Sequence, residues 1–316
     1  MKIVITDSDT VTTGDLSFSS FAKYGTVIRY GITEPERTIE RIREADIVLC
    51  NKTPMTAEVM AAAKNLKYIG LFATGWNNVD TDYAAAHGIT VSNVPGYSTA
   101  GVVQLTFSLI FEIYGKVSRY VQSVKRGDWI KSPTFSYFPY KILGVSGKTI
   151  GIVGFGSIGR SVARAAKAFG MRVLVFTRTP KTEEGVEFVD FDTLLKESDI
   201  VTLHCPLNPA SEKLMNAEAF AKMKQDSVLI NTSRGPVVDE YALREALLSG
   251  KLLGAGLDVL TTEPMSGDCS LFGIENCIIT PHIAWAGFET RERLLKIAEE
   301  NLSAFISGAP INMVTG

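Results

Sequence analysis

Apolar and polar positions along the chain follow two alternating rhythms. Short apolar runs recur between stretches with helical spacing, the pattern of parallel strands covered on both faces by helices. In the first third these runs predict strands at Lys2–Thr6, Thr26–Tyr30, Asp46–Cys50, Tyr68–Phe72 and Thr90–Ser92. Helices are expected between them near Pro35–Glu44, Ala57–Ala63 and Thr81–His87. His87 precedes Gly88, a helix-ending pair, and is read as structural, since an imidazole at that end is favoured by the helix dipole. After the Pro95-Gly96 break one long helix is predicted from about Thr99 to Val124, with Ser98 or Thr99 as its cap. An aromatic, loop-like segment holding Trp129, Phe135, Tyr137, Phe138 and Tyr140 follows.

The rhythm then restarts. Strands are predicted at Thr149–Gly154, Arg172–Thr177, Ile200–His204, Ser227–Asn231, Leu253–Leu257 and Cys277–Thr280, and an amphipathic helix at Glu289–Ile306 closes the chain. With 316 residues, too many for one typical core, the two series imply two α/β domains, each a doubly wound parallel sheet. The last helix follows the second series and is free to fold back on the first.

Composition narrows the partners. Hydrophobic residues at 46% and charged residues at 21% are globular values, not those of a disordered chain. A net charge of -2 supplies no basic field, so no nucleic acid is expected as a partner. No apolar run approaches the roughly 20 residues that cross a bilayer, so no membrane is expected either. Met1–Asp7 reads as a strand, not a secretory leader, and a cytoplasmic location is the expectation. The four cysteines, Cys50, Cys205, Cys269 and Cys277, form no CxxC pair and read as packing residues. With no zinc motif, side chains are left to polarise any carbonyl.

The sharpest local signal is Gly154-Phe155-Gly156-Ser157-Ile158-Gly159, a Gly-x-Gly-x-x-Gly run between a buried strand and a helix read at Arg160–Phe169. Gly154 permits the tight turn, Gly156 lets backbone approach a pyrophosphate, and Gly159 lets helix pack on strand. The helix start presents free N–H groups to the phosphates. Alone the motif is weak; flanked by strand, helix and the next strand, it predicts a dinucleotide site. The end of that next strand selects the cofactor. Where NAD sites carry an acid for the ribose 2′-hydroxyl, this chain reads Thr177-Arg178-Thr179-Pro180-Lys181. A missing carboxylate and a following arginine suit a 2′-phosphate, so NADP is the preferred cofactor and NAD the alternative. The competing reading makes Arg178 and Lys181 a solvated surface pair.

Hydride transfer from such a cofactor to a carbonyl, without metal, needs a cation to polarise it and a proton donor for the developing alkoxide. Of the three histidines, His204 and His282 both lie just beyond apolar strands of the second series, where such sheets place ligands. Pattern alone leaves the choice between them open.

Three segments, Ile230–Gly235, Asp258–Pro264 and Thr280–Trp285, together with the glycine loop and in the same order, resemble the D-2-hydroxyacid dehydrogenase family across essentially the whole chain. The resemblance implies a Rossmann cofactor domain, residues 99–286, inserted into a flavodoxin-like substrate domain built from residues 1–98 and 287–316. It implies Arg234 as anchor for the substrate carboxylate and carbonyl, His282 as general acid in reduction and base in oxidation, and Glu263 as the partner that orients the imidazole and favours its protonated form. With less force it places Thr74 and Gly75 at the substrate carboxylate, Thr74 also at the cofactor, Ser157 and Ile158 on the phosphates, and Cys205 as a wall of the cofactor site. Thr232, Ser233 and Asp258 are expected at the nicotinamide end. His204 is left a supporting role.

Within the family, Asn93–Thr99 and the aromatic stretch from Trp129 to Tyr140 look like the glycerate dehydrogenase and hydroxypyruvate reductase branch. That implies hydroxypyruvate and D-glycerate, with glyoxylate as a further substrate, and a homodimer joined through the helix after Thr99 and the aromatic loop. Trp285, assigned to the cofactor site, is bulkier than the residue many relatives carry there; it either narrows the pocket or packs in the core. Three rivals stand beside this reading: a D-lactate or other 2-oxoacid reductase, a formate dehydrogenase, against which Glu263 argues, and an NAD(P)-sensing regulatory protein with little turnover.

Overall fold

A computed structural model describes residues 1–179 and 182–314. The chain divides into two compact units, Met1–Ser98 with Ala286–Gly316, and Thr99–Trp285. The second crossing falls one residue earlier than the pattern suggested, with Ala286 already in the first unit.

In the first unit, strands β1 (Lys2–Ile5), β2 (Thr26–Arg29), β3 (Ile47–Cys50), β4 (Tyr68–Leu71) and β5 (Thr90–Ser92) form one parallel sheet in the order β2-β1-β3-β4-β5. The central strands β3 and β4 are buried along their whole length, as expected where helices cover both faces. The chain's last helix, Phe288–Ile306, packs here through buried Leu294, Leu295, Ala298 and Leu302, and Phe305 stacks on Tyr68 at 4.7 Å. His87 caps the helix Thr81–Ala86, its Nδ1 2.8 Å from the Tyr83 carbonyl and its ring stacked on that of Tyr83.

In the second unit, β6 (Thr149–Val153), β7 (Arg172–Phe176), β8 (Glu187–Phe188), β9 (Ile200–Leu203), β10 (Ser227–Asn231), β11 (Leu252–Leu257) and β12 (Cys277–Ile279) form a parallel sheet ordered β12-β11-β10-β9-β6-β7-β8. The first strand, β6, lies at the point where the order reverses, which is where doubly wound sheets open a crevice for ligands. Two apolar clusters are built on it, one holding Phe107, Ile110, Ile152 and Val175, the other Leu203, Phe220, Leu229 and Leu243.

Some elements differ from the sequence reading. Strand β8 was not anticipated; two residues are too few to carry a period. The helix expected from Thr99 to Val124 is two helices, Thr99–Gly115 and Val117–Lys125, bent by 56°. Lys116 between them adopts a left-handed conformation at φ 51°, and it follows Gly115, so the backbone hydrogen-bond ladder is interrupted there. No single helix among the described residues is long and apolar enough to cross a membrane.

Candidate active site

The glycine loop leaves β6 with Gly154 at φ 94° and enters the helix Ser157–Ala168. Gly154 donates its N–H to the Phe176 carbonyl at 2.9 Å, which ties the turn to the end of β7. A Cβ on Gly159 would overlap the Gly154 carbonyl, so the close helix–strand approach requires glycine. At Gly156 the situation is opposite: the residue is exposed, and a Cβ would project into open space before the helix start. Gly156 is also the N-cap and has no side chain with which to cap the first turn. Uncapped N–H groups behind an open glycine fit a pyrophosphate.

Thr177 follows β7 and is half-buried, while Arg178 and Thr179 are exposed. Among the described residues Arg178 has no acidic partner. Lys181, paired with Arg178 in the sequence reading, lies outside the described residues. Arg160, on the first turn of the helix, stacks on Phe155 at 5.0 Å and pairs with Glu183 at 3.4 Å.

Three loops beyond the ends of β10, β11 and β12 carry the predicted reacting groups. His282 Nδ1 lies 2.7 Å from Glu263 Oε2, and Glu263 Oε1 accepts the Leu260 N–H at 3.0 Å, so the carboxylate is held by its own loop while it holds the imidazole. Among the described residues His282 Nε2 has no hydrogen-bond partner. Arg234 is exposed, donates to the Ser233 carbonyl at 2.7 Å and pairs with no acid among the described residues. Its neighbour Gly235 is buried against the Leu260–Thr261 backbone; a Cβ there would overlap Leu260. Arg234 and Glu263 therefore ride on loops in direct contact, and Glu263 and His282 touch.

The remaining predicted residues divide. Thr232 is buried with its hydroxyl 3.2 Å from that of Thr106, and Ser233 donates its hydroxyl back to Asn231 Oδ1 at 2.8 Å. Asp258, 1% exposed, directs its carboxylate at Thr280, Ile283 and Ala284. Cys205 is half-buried, its N–H packed against Gly154, and its thiol is pushed up by burial. Trp285 is half-buried, three residues after His282. His204 is not an acid–base candidate in this setting: burial pushes its pKa down to about 3, its Nε2 meets Thr202 at 2.9 Å, and Nδ1 is buried without a partner among the described residues.

In the first unit, Thr74 and Gly75 follow β4. The Thr74 hydroxyl donates to the Val94 carbonyl at 2.7 Å, and its own carbonyl accepts from Asn93 at 2.6 Å. Among the described residues no acceptor pairs with the N–H of Thr74 or Gly75, and Thr74 is exposed.

The residue without an assigned role in the sequence reading is Asn231. Its buried side chain accepts from Ser233 N–H and donates to the Arg234 carbonyl at 2.9 Å, which fixes the loop that carries the guanidinium. An asparagine ending a strand before Thr-Ser-Arg-Gly is a local turn signal and could have been read as one.

Residues 107–284 match the family described as D-isomer specific 2-hydroxyacid dehydrogenase, NAD binding domain. The chain is 43% identical to a hydroxypyruvate reductase of Blautia hydrogenotrophica, over 99% of each chain. It is 42% identical to a glycerate dehydrogenase of Methylorubrum extorquens, over 89% of this chain and 88% of that one. Among solved structures, an NADPH-dependent glyoxylate/hydroxypyruvate reductase of Sinorhizobium meliloti in complex with citrate aligns with a TM-score of 0.85 at 27% identity, over 99% of this chain and 97% of that one.

Proposed function

The chain belongs to the D-isomer-specific 2-hydroxyacid dehydrogenases, NAD(P)-dependent oxidoreductases, and from that premise we propose that it reduces hydroxypyruvate to D-glycerate and glyoxylate to glycolate. The observation that carries the reading is the His282–Glu263 pair: one ring nitrogen held by a carboxylate at 2.7 Å, the other without a partner among the described residues, one loop away from an arginine with no acid of its own.

A nicotinamide cofactor, held at the glycine loop, would supply the hydride for carbon 2 of the 2-oxo acid. Arg234 anchors the carboxylate and polarises the ketone, because a guanidinium offers two parallel donors to a planar acid. As negative charge grows on the ketone oxygen, His282 Nε2 delivers a proton to it, and in the oxidative direction the same nitrogen takes that proton back. Glu263 fixes the proton on Nδ1 and so leaves Nε2 as the nitrogen that works. Per turnover one hydride and one proton are added, and the carbonyl becomes a secondary alcohol (a primary one for glyoxylate).

For the cofactor we favour NADP. Thr177 stands at the end of β7 in place of an acid, and Arg178 is exposed and unpaired by acids among the described residues. For assembly we favour a homodimer: Val117, Val121, Val124, Trp129, Ile130, Phe135 and Phe138 are all exposed along the bent helix and the aromatic segment, an apolar surface that a second copy would cover. The test is a panel of small 2-oxo acids assayed with both reduced cofactors. Hydroxypyruvate and glyoxylate should head the panel, and NADPH should exceed NADH in kcat/KM. A chain most active on pyruvate contradicts the substrate, and a strong NADH preference contradicts the role given to Arg178.

A further inference from the structure

His282 has a left-handed backbone, φ 54°, a conformation that a residue with a Cβ does not take without support. The support is visible, and almost all of it comes from Asp258. The Asp258 carbonyl accepts the His282 N–H at 2.9 Å. Its Oδ1 accepts the Ile283 N–H at 2.8 Å and the Thr280 hydroxyl at 2.6 Å, and its Oδ2 accepts the Ala284 N–H at 2.8 Å. The residues on both sides of His282 are thus fastened to one buried carboxylate, and the histidine itself to that residue's backbone. Asp258 is anchored in turn, since its N–H donates to the Asn231 carbonyl at the end of β10.

We propose that Asp258 is a positioning residue for His282: its carboxylate holds the 280–284 loop in the one backbone conformation that brings the imidazole onto Glu263. The inference rests on His282 being the acid. Three N–H or O–H donors converge on two carboxylate oxygens, bonds strengthened by the full negative charge. Asp258, expected at the nicotinamide end, thus directs both carboxylate oxygens at the loop that carries the histidine.

Asp258→Asn tests it. The amide has the same shape, but its NH2 must face a donor, so at least one loop bond is lost and replaced by repulsion. The expected result is a fall in kcat on the order of 10–100-fold for hydroxypyruvate, the usual effect of misplacing a reacting group by about an ångström. The cofactor Kd, read from reduced-nicotinamide fluorescence, should stay close to wild type. The solvent deuterium isotope effect on kcat should rise, because proton delivery becomes the slow step; a change in stability alone would not move it. Thr280→Val keeps the carboxylate and removes one donor, and should shift the same readouts in the same direction by less. Loss confined to cofactor affinity, or a lower kcat with an unchanged isotope effect in both variants, overturns the proposal. His282→Ala in the same assay separates the two claims: if it turns over normally the acid is misassigned, whereas an inactive His282→Ala beside a wild-type-like Asp258→Asn sinks the positioning role alone.

Discussion

At the scale of single residues, burial and partners separate the two candidate imidazoles. His204 and His282 were indistinguishable by pattern, each a histidine at the end of an apolar strand. What separates them is environment. His282 is about one-third exposed and carboxylate-paired, while His204 is enclosed and pushed down to about 3 from an ordinary 6.5. The sign of the consequence is fixed. Between pH 6.5 and 3 the unfolded chain binds a proton at this position that the folded chain refuses, so His204 makes the fold less stable as pH falls through that window. His204→Gln, which cannot titrate, should therefore lose melting temperature less steeply than wild type from pH 6.5 downward. Parallel curves would show that the ring takes up its proton in the folded state. The Glu263–His282 partnership was legible as a motif; the clamps from Asn231 and Asp258 were not, because each is a tertiary bond whose direction no linear pattern records.

At the scale of elements, the loops after β10 and β11 form one compact support. Gly235 is its tightest point, its Cα pressed on the Leu260 backbone between the arginine loop and the glutamate loop. Gly235→Ala should separate those loops, cost on the order of 1–3 kcal/mol as overpacking does, and lower kcat/KM more than the loss of stability accounts for. Wild-type kinetics in a folded Gly235→Ala would mean the two loops do not act together. The cofactor loop was fully readable before the structure, since glycine spacing, strand and helix are all local in sequence. The break at Lys116 was not, for a left-handed lysine inside a helical period leaves only Gly115 as a warning. Strand β8 was missed for want of length, although Phe188 packs edge-on against Phe155 at 5.3 Å beside the cofactor loop.

At the scale of the whole molecule, the two-series rhythm reported two parallel sheets correctly because the inner strands of each are buried along their length, which is the condition that produces continuous apolar runs. The returning helix was legible as amphipathic; its destination needed the contacts of Asn301 with the Asn93 carbonyl at 2.8 Å and of Glu299 with Tyr24 at 3.0 Å. Arg291, near the start of that helix, grips Asp15 through two bonds of 2.9 and 2.6 Å and holds its carboxyl well below the usual range, so the last segment is tied to the first turns of the chain. The central proposal is that His282 passes a proton while Arg234 holds the acid. The most direct measurement is kcat/KM for hydroxypyruvate with His282→Ala, taken beside the Kd for reduced cofactor. His282→Ala should lose on the order of 10²–10⁴-fold in kcat/KM with cofactor binding unchanged. Turnover within a few-fold of wild type would contradict it.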